Sequence, residues 1–212
     1  MLHTLMDWIL HLDTHLAALA SSHGAMVYAV LFAFIFVETG VVILPFLPGD
    51  SLLFVAGAMA AQGTFSLPVL VLVLVVAAIG GDTLNFAIGS VMRKRVLDKR
   101  RIRFVKPEYL ERTQGFFDRH GRKTIVLARF VPVVRTLAPF VAALGKMAYP
   151  SFLAYNVAGG LAWVGILLGA GYAFGNLPWV SQNLTAVILG IVFVSSLPGI
   201  IGWAKGRAQK SA

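Results

Sequence analysis

The sequence predicts an all-α integral membrane protein. The expected architecture is an inverted repeat in which two opposed re-entrant helical hairpins combine with three spanning helices and interfacial amphipathic helices. Three observations carry this prediction. The 212 residues are 58% hydrophobic and 13% charged, about half the charged fraction of a soluble domain. All 18 Lys and Arg residues fall in 93–146 or in the tail from Lys205, the asymmetry of a chain whose basic loops stay inside. Two apolar stretches, "VETGVVILPFLPGDS" (37–51) and "LARFVPVVRTLAPFVAALG" (127–145), each hold two prolines and two ionisable residues. A plain spanning helix carries neither feature.

The elements follow in order. Residues 1–22 are expected to form an interfacial helix: Leu5, Ile9, Leu12, Leu16 and Leu19 recur at helical spacing, with Asp and His opposite. His3, Asp7, His11 and His15 share a face and have metal-ligand chemistry, but the wet side of an interfacial helix accounts for them, so no metal is expected. Residues 25–61 read as a re-entrant hairpin. Its first arm is interrupted at Pro45 and Pro48, which lack a backbone donor, and Gly49, Asp50 and Ser51 supply a turn and a helix cap. Residues 66–91 are long enough to span. The basic cluster "RKRVLDKRRIRFVK" (93–106) follows, then an amphipathic helix to 121, with Pro107 near its start and Gly121 placed to end it. Residues 123–147 form the second hairpin, broken by Pro132 and Pro139. Residues 150–175 and 183–203 span again. The whole is one membrane domain, 1–204, with a polar tail, 205–212.

Charge orients these elements. The loop 93–106 and the tail are both basic, which places both in the cytoplasm. The segments 150–175 and 183–203 make two crossings between them, so 123–147 enters and leaves on the cytoplasmic face. By the same logic 25–61 enters from outside and the N-terminus is external. The basic charge thus has a topological explanation, and nucleic acid is not an expected partner. No basic start, short apolar run and cleavage site precede the chain's first segments, so no removable signal peptide is expected. The absence of cysteine excludes disulfides, thiolate metal sites and a cysteine nucleophile. Short echoes link the halves: "LLFVAGAM" (52–59) with "APFVAALGKM" (138–147), "SLP" (66–68) with "AYP" (148–150), and "NFAIG" (85–89) with "GYAFG" (171–175). Hairpins entering from opposite faces make this an inverted repeat, as in many secondary transporters.

Five ionisable residues lie inside predicted membrane segments: Glu38, Asp50, Asp82, Arg129 and Arg135. Each costs roughly 2.5–3.5 kcal/mol at a helix centre on the insertion scale, so each is expected to be buried in protein or to line a wet cavity. The outer hairpin brings two acids and the inner hairpin two arginines. Arg129 and Arg135 are six residues apart, on different faces of an unbroken helix; a kink at Pro132 lets both converge. Two planar guanidinium forks suit a phosphate. The bland alternative is an ion-pair cluster of the two arginines with Glu38 and Asp50, serving folding alone. Glu38 sits in the most apolar part of its hairpin and is a candidate proton carrier. Asp50 has an alternative as a helix cap, and Asp82 as a structural partner for an arginine or a helix N-terminus.

At these residues the sequence resembles the bacterial DedA family, related to eukaryotic VTT-domain lipid scramblases. The resemblance rests on "RFVPVVRTLAPFVAALGKMAYPSFLAYNVAGGLAW" (129–163), "GAGYAFG" (169–175), "FVETGVVILPFLPGDSLL" (36–53) and "GGDTLNFAIG" (80–89), and covers about residues 25–180. It departs at Phe86, where a tyrosine is common, and at Ser90, where an arginine often follows the glycine. The resemblance implies a transporter of lipid phosphates in the bacterial inner membrane, N-terminus periplasmic and C-terminus cytoplasmic. Undecaprenyl phosphate is the implied substrate, with coupling to the proton gradient. It places the family's functional acids on Glu38 and Asp50 and its functional arginines on Arg129 and Arg135; Asp82 is a secondary candidate by its position in the sequence alone.

The leading expectation is therefore a flippase without cofactor, in which Arg129 and Arg135 bind the phosphate and Glu38 and Asp50 exchange protons. Its expected partners are the lipid phosphate, membrane lipids and protons, with a second copy of the chain as a further candidate. The alternatives are a proton-coupled antiporter of small cations or drugs, a general phospholipid scramblase, and a membrane protein without transport activity. A lipid phosphatase needs a histidine nucleophile and base, and no histidine lies in a predicted membrane segment, so enzyme chemistry is not expected.

Overall fold

A computed structural model describes residues 24–41, 49–99, 114–115, 117–131, 134–183, 186–187 and 189–191. They are helical, with no strand among them. The elements are α1 (Met26–Gly40), α2 (Gly49–Ala61), α3 (Leu67–Lys99), a 3-10 turn (Gly121–Lys123), α4 (Thr124–Ala128), α5 (Val134–Leu144), α6 (Tyr149–Phe174) and α7 (Pro178–Gln182). The interfacial helix expected over 1–22, the centre of the basic loop and most of the span expected over 183–203 lie outside the described residues.

Two helices are long and apolar enough to cross a membrane, Leu67–Arg93 within α3 and Tyr149–Phe174. Pro68 and Pro150 each occupy the second position of their helix, where the missing N–H has no intrahelical partner to lose. The other apolar helices, α1, α2 and α5, have 15, 13 and 11 residues. At 1.5 Å per residue they reach about 16–23 Å, short of a hydrocarbon core of roughly 30 Å.

Burial separates the two kinds of helix. In α2 every residue from Ser51 to Ala60 is buried, and in α5 every residue from Thr136 to Ala143. Only a third of each long helix's apolar window is buried. Helices α2 and α5 are thus enclosed by protein, α1 leaves Met26, Val30 and Val37 exposed, and α3 and α6 present Leu72, Val76, Leu161 and Ile166 outward. That is the arrangement that lets a chain stop in mid-membrane, because interrupted backbone is tolerated there only when covered by protein or facing water.

The chain divides into two compact units. One draws on Met1–Ile35, Pro48–Ala77 and Ala162–Ser195, the other on Phe36–Leu47, Ala78–Leu161 and Ser196–Ala212. In the first, α2 lies directly on α6. A Cβ at Gly57 would strike the Leu168 carbonyl, and one at Gly171 the Phe54 carbonyl. In the second, α5 lies on α3, where a Cβ at Gly89 would come within 2.7 Å of the Phe140 carbonyl. Its core joins Phe86, Ile125, Ala128, Val134, Ala138 and Phe152, with Phe86 stacked on Phe152 at 4.3 Å. Phe86 therefore packs fully where a tyrosine was the expected family residue.

Both buried short helices end in the same way. At α2, Gly63 N–H donates to the Ala60 carbonyl and Thr64 N–H to Met59; at α5, Lys146 N–H donates to Ala143 and Met147 N–H to Ala142. This is the paired Schellman pattern, which places one residue in the left-handed region. That residue is Gly63 (φ 83) in one case and Lys146 (φ 59) in the other. Gly121, expected to end a helix, also has a positive φ of 58.

One expectation fails. Pro139 does not break the second hairpin; it lies inside α5. The ring removes only the bond to the Arg135 carbonyl, one turn earlier, and the rest of the helix carries on. The interruption is instead earlier, between Ala128, where α4 ends, and Val134, where α5 begins.

Candidate functional site

The early interruption decides where the arginines go. Arg129 follows the last residue of α4, its N–H bonded back to Val126 at 3.3 Å. Its side chain is 5% exposed. Nη2 donates to Asp82 Oδ2 at 2.5 Å, to Asn156 Oδ1 at 2.5 Å and to the Ala78 carbonyl at 3.5 Å. Room for the guanidinium comes from α6, where Cβ atoms at Gly159 and Gly160 would come within 3.1 Å and 3.7 Å of Arg129 side-chain atoms. The Asn156 amide is oriented by its own bonds, Nδ2 donating to the Ile79 carbonyl at 3.1 Å and reaching Thr83 Oγ1 at 3.5 Å. Its oxygen therefore faces the cation.

Arg135 is the second residue of α5. Nη2 donates to Glu38 Oε1 at 2.8 Å, with side-chain exposures of 11% and 4%. Glu38 stands two residues before the end of α1. The carboxylate sits near the negative end of one helix and the guanidinium near the positive end of another, so each helix dipole opposes its own charge. The ion pair offsets both. Asp82 feels the charge of Arg135 as well as that of Arg129, and the two guanidinium groups feel each other, so the four residues form one electrostatic cluster.

Asn85 ties this cluster to backbone. Fully buried, its Nδ2 donates to the Thr136 carbonyl at 2.7 Å and to the Thr39 carbonyl at 3.2 Å. The close approach of α1 is made by glycine: a Cβ at Gly81 would collide with Thr39 Oγ1 and come within 2.8 Å of the Phe36 carbonyl.

Asp50 belongs to the other unit. It lies within the first turn of α2 rather than ahead of it, where a carboxylate favours the helix dipole. Oδ1 accepts a 3.0 Å bond from Nε1 of the buried Trp163.

The structure thus joins Glu38 to Arg135, but Arg129 pairs with Asp82 rather than with a hairpin acid. Asp82 is thus the partner of an arginine, one of the two readings of its position in the sequence. Asn85, Asn156 and Trp163 are not among the site residues expected from the sequence, where Trp163 reads as helix packing. Asn85 and Asn156 are amides in otherwise apolar helices, and such groups need partners when buried. They carried a readable signal, and so did the glycine pairs 80–81 and 159–160 beside them. The face of His3, Asp7, His11 and His15 lies outside the described residues.

Apolar helices that enclose buried, hydrogen-bonded ion pairs define an integral membrane protein with a polar centre. Residues 47–173 match the VTT domain. The chain is 50% identical over 203 residues to protein DedA of Escherichia coli, covering 95% of this chain and 93% of that one. It is 45% identical to an uncharacterized membrane protein of Mycobacterium leprae, over 88% and 83% of the two chains. It is 34% identical to the inner membrane protein YghB of Escherichia coli, over 84% and 89%. The chain belongs to the DedA family of VTT-domain membrane proteins. No solved structure matches it.

Proposed function

We propose that this protein is a flippase for a lipid phosphate of the polyprenyl class, with undecaprenyl phosphate as substrate, in the bacterial inner membrane. The observation that carries the reading is the buried Arg135–Glu38 pair, in which an arginine is neutralised by an acid that can itself take up a proton. A phosphate arriving at Arg135 also meets the positive end of α5, which favours an anion. It displaces Glu38 from the guanidinium, and Glu38 leaves the charged state by accepting a proton rather than remaining an unpaired buried anion. Return of the proton releases the headgroup. Arg129, more deeply enclosed, holds the field positive from behind. Asp50 is the second proton-exchanging acid, oriented by Trp163. The polyprenyl tail stays in lipid throughout.

The short helices α1, α2 and α5 support a pair of half-inserted hairpins, and the paired glycine contacts and Schellman ends support an internal repeat. In this reading the hairpins enter from opposite faces, a third span follows α6, the N-terminus is periplasmic and the C-terminus cytoplasmic. The protein acts without enzymatic turnover.

The test is translocation of undecaprenyl phosphate in proteoliposomes under an imposed proton gradient. Arg135→Ala is expected to abolish it and Arg135→Lys to impair it severely, because a point ammonium does not reproduce a planar fork. Undiminished transport by Arg135→Ala overturns the headgroup role. No lipid movement, together with proton-driven movement of a small cation that Arg135→Lys spares and Glu38→Gln abolishes, points to a proton-coupled antiporter instead. Equal transport of phosphatidylethanolamine points to a general scramblase.

A further inference from the structure

Asn85 lies one turn beyond Asp82 on the same face of α3, and Asp82 is committed to Arg129. The two carbonyls Asn85 binds belong to Thr39 and Thr136. These are the residues that directly follow Glu38 and Arg135, so one amide nitrogen grips the backbone next to each member of the ion pair. The amide's orientation is fixed, since turning it over would set Oδ1 against two carbonyl oxygens. The residue is wholly enclosed, and its Oδ1 has no hydrogen-bond partner among the described residues. A buried amide that leaves its oxygen unsatisfied gives up stability, and the two bonds made by the nitrogen offset that cost.

We propose that Asn85 is a positioning residue: its Nδ2, bridging the Thr39 and Thr136 carbonyls, sets the register in which Glu38 meets Arg135. The proposal concerns the geometry of that pair; its relevance to transport rests on the function proposed above. A helix end can slide or rotate by a fraction of a turn at little cost unless something anchors its terminal backbone. Here α1 ends one residue beyond Thr39, and α5 begins two residues before Thr136. Without Asn85 the two termini drift independently, and the carboxylate and guanidinium no longer meet reliably.

The experiment is a coupling measurement on the full-length protein in detergent micelles, with no transport step. Unfolding constants are determined for Glu38→Gln, Arg135→Gln and the double variant, first in the parent and then in Asn85→Leu, which keeps the branching at Cγ and removes the donor. In the parent the two effects are expected to be non-additive by roughly tenfold in the unfolding constant, as for directly interacting residues. In Asn85→Leu the non-additivity is expected to fall below about twofold. Asn156→Leu is the control, since it removes a partner of Arg129 and touches neither Thr39 nor Thr136; it is expected to leave the tenfold coupling in place. Coupling retained in Asn85→Leu, or lost equally in Asn156→Leu, overturns the proposal. Should Asn85→Leu not accumulate, Asn85→Ser, whose hydroxyl is too short to bridge both carbonyls, takes its place and is expected to lose at least half the coupling; full retention overturns the proposal equally. A parent that shows the coupling but moves no undecaprenyl phosphate would refute the function and leave the role of Asn85 standing.

Discussion

Replacing Asp82 by leucine tests a deeply buried ion pair. Asp82 and Arg129 side chains are 6% and 5% exposed, and their bond is 2.5 Å long. Asp82→Leu leaves the guanidinium its bonds to Asn156 Oδ1 and the Ala78 carbonyl, and neither acceptor carries charge. Removing one partner of a buried pair costs about 3–5 kcal/mol. For a chain of this length each kcal/mol shifts Tm by about 2–4 °C, so a fall of roughly 6–20 °C is expected. Arg129→Met strands Asp82 and costs a similar amount. The double variant restores neutrality, and what remains is the loss of the Arg129 donor to Asn156 Oδ1, about 1–3 kcal/mol. The double variant is thus expected to be more stable than either single one. The assay is the fraction of detergent-solubilised protein that stays monodisperse by size-exclusion chromatography after heating. A Tm within about 2 °C of the parent for Asp82→Leu, or a double variant less stable than both singles, refutes the account of Arg129 as an enclosed, Asp82-neutralised cation.

Three further outcomes are expected. Lys146→Gly should raise stability by about 1 kcal/mol, seen as a higher Tm, because a left-handed backbone is unstrained for glycine and strained for lysine; no change would show that the α5 terminus relaxes at little cost. Gly171→Val should lower Tm by more than about 4 °C, since its Cβ would strike the Phe54 carbonyl, a backbone atom that cannot swing aside. Trp163→Phe keeps an aromatic ring but removes the donor to Asp50; hydrogen bonds to charged groups contribute about 1.5–3 kcal/mol, and thermal unfolding reads the loss.

The helices were largely legible in the sequence, because apolar runs bounded by proline and glycine mark their own limits. The expected span 66–91 appears within α3 and 150–175 as α6. Pro139 was misread because a proline's effect depends on how much helix surrounds it: α5 loses one bond there and keeps its buried face. The charge pairs were only half legible. Counting acids and arginines per hairpin assigned Glu38 to the arginine cluster correctly, yet Arg129 turned to Asp82 because Gly159 and Gly160 open space beside α3 and α6. Such space depends on which helices touch, and helical periodicity within one segment carries no record of that.

Glu38 and Arg135 are separated by 97 residues along the chain. At a synthesis rate of about 5–20 residues per second, the acid leaves the ribosome roughly 5–20 s before its partner exists. Throughout that interval a lone carboxylate cannot settle as an anion among lipid tails. The segment carrying Glu38 must therefore either linger near the headgroups or enter with its acid protonated. Its partner arrives only with the segment carrying Arg135, so the ion pair locks an early piece of the chain to a late one.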